Sequence, residues 1–103
     1  MNAMTAAIQV DDNLTIYTSL ELKPRLLASA LAADVPTFDL SHVQEIDSAG
    51  LQLLLLVRRE LAALGRTLAI SGASPAVEEA FAVVGMDDWL RAGMATHGTE
   101  GAR

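Results

Sequence analysis

The sequence predicts an α/β fold, a mixed sheet with helices packed on it. Three observations carry that expectation. Short β-favouring runs alternate with longer segments of helical periodicity. The boundaries between them carry start and stop residues, above all Ser74-Pro75, Gly65 and Gly85. Finally, 51% of the 103 residues are hydrophobic and only 19% are charged, which suits one domain with a single core rather than a disordered chain.

The elements follow in order. Residues 6–10 and 14–17 are short, β-friendly and partly alternating, and Asp11-Asp12-Asn13 between them is turn chemistry, so a β-hairpin is expected. Thr18 or Ser19 caps the helix that follows, in which Leu22, Leu26, Leu27, Ala30 and Leu31 recur at helical spacing. Pro24 sets its regular part near Lys23, and Ala33-Asp34 ends it. Residues 35–40 read as a strand with Pro36 near its beginning, and 41–47 as a loop.

A second helix runs from about Ser48 to Leu64. Leu51, Leu54, Leu55, Val57 (or Arg58) and Leu61 define its buried side, while Gln52, Arg59 and Glu60 lie away from it. Residues 66–71 form another strand. Ser74 caps a third helix with Pro75 in its first turn and Val77, Ala80, Phe81 and Val84 as its apolar stripe. Residues 86–90, with Trp89 as a core plug, are a short last element, and 95–103 a fraying tail. The order is β-β-α-β-α-β-α, with no repeat, linker or second domain.

Composition narrows the function classes. The net charge is −6 with seven scattered Lys and Arg, which argues against nucleic acid and anionic membrane surfaces as partners. The absence of cysteine removes disulfides, thiolate metal sites and cysteine nucleophiles. Residues 1–7 carry no basic n-region or apolar h-region, and the apolar run 53–57 is too short to span a bilayer. A soluble cytoplasmic protein is expected, with some exposed apolar surface for a partner or a homodimer. No phosphate-cradling motif is present, and Asp11-Asp12 and Asp87-Asp88 are adjacent pairs whose side chains diverge, so neither cofactor nor metal is expected.

The most informative segment is Asp47-Ser48-Ala49-Gly50. It puts a hydroxyl at the exposed start of a helix, among N–H groups without partners, where negative charge is favoured. A phosphate on Ser48 is tolerated there and visible to a partner. The alternative is that Ser48 or Asp47 simply caps the helix. Gly50, in the first turn, costs helix stability, and close approach of another backbone or of a partner is one reason to tolerate it. Arg58 and Arg59 read as a solvated face or as a docking edge for an acidic partner. A nucleophile elbow requires glycine where Ile46 stands, and neither His42 nor His97 has a context that orients it as a base. The segment reads as a switchable binding surface rather than an active site.

The run Phe38-Asp39-Leu40-Ser41-x-Val43-x-x-Ile46-Asp47-Ser48-Ala49-Gly50-Leu51 resembles the signature of STAS domains, the sulfate-transporter and anti-sigma-factor-antagonist family. Ser74-Pro75-Ala76-Val77, Phe81 and Gly85-Met86 look like that family's third-helix segment, so the resemblance covers about residues 6–91. It implies a four- to five-stranded sheet with helices mainly on one face, and a small non-enzymatic switch protein. In SpoIIAA-like antagonists the serine after the aspartate is phosphorylated by a partner that is both serine kinase and anti-sigma factor; the matching residue is Ser48. Asp47, Ser48, Ala49, Gly50, Gln52 and His42 are the partner-binding residues expected on this resemblance. One stretch departs from it. Thr18-Ser19-Leu20-Glu21-Leu22 stands where many antagonists carry a Gly-Glu-Leu-Asp-like segment. Stand-alone STAS proteins also occur beside chemotaxis-type signalling genes, and MlaB-type members bind the ATPase of a phospholipid-transport ABC system; these are the alternatives.

Overall fold

Three parallel strands build the sheet. The computed structural model describes residues 7–102. Within them β1 (Ile8–Gln9), β2 (Thr37–Leu40) and β3 (Ala69–Ala73) lie side by side in that order. Ile8 pairs with Phe38, and Thr37 and Phe38 pair with Ala69 and Ile70. The register then slips, so that Asp39 faces Gly72 and Ser71 is the extra residue. Parallel neighbours need crossovers. Helix α1 (Ser19–Ala32) links β1 to β2, and α2 (Ser48–Ala63) links β2 to β3. Helices α3 (Pro75–Val83) and α4 (Asp87–Ala102) complete the chain. No helix among the described residues is long and apolar enough to cross a membrane.

The sheet is therefore parallel and three-stranded among the described residues, where a mixed sheet of four or five strands was expected, and the element order is β-α-β-α-β-α-α. The difference lies in the expected hairpin. Asn13 does not fold the chain back; its Oδ1 accepts from the distant Glu45 N–H at 3.1 Å. Leu14 then runs parallel to Ile46, and residues 15–17 turn, with Thr18 N–H and Ser19 N–H both donating to Thr15 O. Residues 1–6, which include Ala6 of the expected first strand and most of the segment read for a leader, lie outside the described residues.

The helix boundaries have local causes. Helix α1 begins at Ser19 rather than near Lys23. Thr18 is its N-cap without a side-chain cap bond, since its hydroxyl donates to Asn13 O. Pro24 sits exposed inside α1 and removes only the N–H that would serve Leu20 O. Arg66 was expected to open β3 but instead reaches the end of α1, donating to Leu31 O at 3.1 Å and to Ala33 O. It supplies the cation that the last turn of α1 lacks. The strand starts three positions later, at Ala69.

Helices α2 and α3 end in the same way. Gly65 (φ 73°) donates to Ala62 O while Arg66 N–H reaches Leu61 O; Gly85 (φ 74°) donates to Ala82 O while Met86 N–H reaches Phe81 O. Both are Schellman closures with glycine in the left-handed position. The segment after Gly85 was expected to be short, but α4 continues to Ala102, through the segment read as a fraying tail.

One apolar cluster joins the layers. Leu22, Leu26 and Ala30 of α1 meet Leu51, Leu53, Leu54, Val57 and Leu61 of α2 over Leu14, Phe38, Leu40 and Ile70. Burying each such leucine or isoleucine side chain contributes about 1.5–3 kcal/mol. Three stripe assignments change: Leu31 is exposed near the end of α1, Leu53 is buried where Leu55 was expected, and Val84 is 50% exposed because it caps the end of α3. Trp89 is half-buried, stacked on Phe81 at 4.9 Å with Arg58 over its ring at 5.6 Å.

The junction between Leu14 and α2 yields a prediction. A Cβ on Gly50 would stand 2.1 Å from Leu14 O and 2.7 Å from Leu14 Cβ, and a backbone group cannot step aside as a flexible side chain can. Gly50→Ala is expected to destabilise the fold by about 1–3 kcal/mol, read by chemical denaturation. Gly72→Ala, whose Cβ would meet Asp39 Oδ1 at 3.4 Å, is the near-neutral control.

Candidate partner-binding site

Helix α2 opens on Asp47, the N-cap. Its Oδ1 accepts from Gly50 N–H at 3.1 Å, and its Oδ2 accepts from Ile16 N–H at 3.0 Å. The carboxylate thus closes the helix start and ties it to the 13–18 turn. These donors, Ile16 N–H foremost, hold the Asp47 carboxyl below its ordinary 3.8. Asp47 is therefore the cap of the two candidates. Ser48, the first helical residue, is left exposed, with its hydroxyl in no hydrogen bond within the described chain.

Ser48 stands on a ridge between two grooves. One, of about 400 Å³, lies between α2 and α3 and is lined by Ile46, Ser48, Leu51, Ala80, Val83 and Glu79 among others. The other, of about 800 Å³, lies between α1 and α2 and includes Leu20, Ala49, Gln52 and Leu56. Apolar side chains crown the surroundings: Ile16 is 65% exposed, Tyr17 92%, Leu20 86% and Val83 77%. Single exposed apolar residues are ordinary; here Leu20 and Val83 line the grooves and Ile16 and Tyr17 belong to the turn tied to Asp47, which makes this the candidate interaction surface.

Four of the expected site residues share this surface. Asp47 and Ser48 line the smaller groove, Ala49 and Gln52 the larger. Gly50 is buried beneath it against Leu14, so its missing side chain serves the internal contact and not a partner. His42 lines neither groove. Its Nδ1 lies 3.1 Å from Gln9 Nε2 and 3.3 Å from Ser41 Oγ. The Ser41 hydroxyl donates to Asp39 Oδ1 at 2.6 Å, and together with Ser41 N–H it lowers the Asp39 pKa. A serine whose proton faces a carboxylate rather than an imidazole is not arranged for nucleophilic attack. The side chain of His97 lies outside the described residues.

Ile16 and Tyr17 were not read as surface candidates because 14–17 read as a strand, and Leu20 because it falls in a helical segment whose periodicity ranks only inward positions. The hydroxyl cluster Thr15, Thr18 and Ser19 was the available signal of a turn entering a helix.

A family model described as "Mlab, STAS domain" matches residues 1–94. No curated protein matches the chain.

Asp47 gives a prediction with a defined sign. Its folded-state pKa is below its unfolded one, so its stabilisation is present above the unfolded value and is lost as pH falls through the folded value. Asp47→Ala is expected to lower the denaturation midpoint at neutral pH. The gap to the unsubstituted protein should close on acidification below about pH 4, measured by denaturant titration across pH.

Proposed function

The chain belongs to the STAS domain family, and we propose that it is a non-enzymatic protein-interaction module whose docking face is centred on Ser48 and switched by phosphorylation there. The observation that carries this reading is the unbonded, exposed Ser48 hydroxyl at the start of α2, set between two grooves with apolar walls. Asp47 already caps the helix, so Ser48 has no structural duty there.

The switch follows from electrostatics. A phosphoserine carries about −1.5 to −2 charges at neutral pH. The helix start favours such charge by roughly 0.3–1 kcal/mol, while Asp47 beside it and Glu45 nearby oppose it. The fold therefore barely registers the modification. A partner packed over Ser48 must accommodate and desolvate the dianion, and each 1.4 kcal/mol lost weakens binding about tenfold. The partner in this reading is a serine kinase that doubles as an anti-sigma factor.

A second reading has its own support. The matching family model is the MlaB-type one, which favours an accessory subunit docking the same face on the ATPase of a phospholipid-transport ABC system.

Ser48→Asp is expected to weaken partner binding by at least about tenfold, while the melting temperature stays within a few degrees. Ser48→Ala folds, binds and resists phosphorylation. Identification of the protein captured by the unsubstituted chain and by Ser48→Ala separates a serine kinase from a transporter ATPase. Equal affinity of the phosphorylated and unphosphorylated protein for that partner would end the switch reading.

A further inference from the structure

We propose that the groove between α1 and α2 docks an acidic amphipathic helix of a partner protein. This groove is the larger of the two beside Ser48, so the inference deepens that reading by naming what one groove binds, while its charge and shape arguments do not use Ser48.

Charge is the first argument. The chain has thirteen acidic and seven basic residues, yet three of the seven, Lys23, Arg58 and Arg59, line this one groove and no acidic residue does. Among the described residues none of the three is in an ion pair, whereas Arg25 pairs with Asp12 and Arg91 with Asp87 and Asp88. Arg58 is held in place by its contact with the Trp89 ring. A cationic rim without carboxylate partners among the described residues, on a protein of net charge −6, suits an anionic ligand that brings its own carboxylates.

Shape is the second. The groove has leucine walls: Leu53 is buried, Leu56 half-buried, and Leu20 on the α1 side 86% exposed. The lining of α2 runs from Ala49 to Ala62, about 20 Å of helix at 1.5 Å per residue, which accommodates roughly three to four turns of an incoming helix. Two helices forming a leucine-lined trough accept apolar anchors at i, i+3, i+4 and i+7 from a third. Acidic side chains flanking those anchors then meet Lys23 on one rim and Arg58 and Arg59 on the other.

The test uses the full chain and two synthetic peptides of about four helical turns. Both carry leucines at i, i+3, i+4 and i+7; one has glutamates and the other lysines beside them. Fluorescence anisotropy should show saturable, salt-sensitive binding of the acidic peptide only. The double variant Lys23→Glu/Arg59→Glu changes two exposed side chains, so its thermal melt should match that of the parent. It should bind the acidic peptide at least about tenfold more weakly and prefer the basic one. Absence of binding, equal binding of both peptides, or an unchanged affinity in the double variant would overturn the proposal. So would sedimentation showing a dimer that the double variant dissolves, which assigns the groove to a second copy. Co-sedimentation with phosphatidylglycerol vesicles that the same variant abolishes would assign it to a membrane surface and overturn it likewise.

Discussion

The arrangement depends on the backbone of Leu14. Its N–H donates to Glu45 O at 2.9 Å, and its carbonyl accepts from Asp47 N–H at 3.1 Å. Its side chain is fully buried, and Gly50 lies against the same carbonyl with no room for a Cβ. Asp47 adds a second tie through Ile16 N–H. These bonds join the end of the β1 segment, the entry to α1 and the first turn of α2. They fix where α2 begins, and so decide that Ser48 is on the ridge rather than beneath it. A buried backbone needs such partners, since an unpaired N–H or C=O away from water carries a large desolvation cost.

Much of this was legible in the sequence, and the reasons are local. The start of α2 at Ser48, the Ser74 cap with Pro75 and the glycine closures at Gly65 and Gly85 follow from capping chemistry, which involves residues a few positions apart. The strand Thr37–Leu40, which opens two residues later than the expected 35–40, and the buried positions Leu51, Leu54, Val57 and Leu61 of the expected stripe follow from the apolar run and from helical periodicity. What failed involved distant partners. Asn13 reads as a turn residue until Glu45 is beside it, and Arg66 reads as strand until the end of α1 is within its reach. The function of Gly50 was half legible: close approach was expected, but only the fold identifies Leu14 as what approaches.

The candidate site was legible to a similar depth. The tetrapeptide left open whether Ser48 or Asp47 caps the helix; the structure gives the cap to Asp47 and leaves the Ser48 hydroxyl exposed. Tyr17 and Leu20, the most exposed apolar side chains, were hidden by the strand reading of 14–17 and by helix periodicity that ranks only inward positions. Surface patches are assembled from several segments, so no single stretch of sequence announces them.

The two grooves differ in a way that bears on control. The smaller one carries Asp47 and Glu79 at its margin, while the larger is rimmed by Lys23, Arg58 and Arg59. Ser48 borders the first, and its neighbour Ala49 borders the second. Along α2, Arg58 and Arg59 stand ten and eleven residues beyond Ser48, about 15 Å at 1.5 Å per residue and well outside a Debye length of about 8 Å at physiological salt. A dianion on Ser48 would therefore act on the smaller groove, and its field at those two arginines would be largely screened. An acidic helix in the larger groove would meet that charge only where it passes Ala49, beside Ser48.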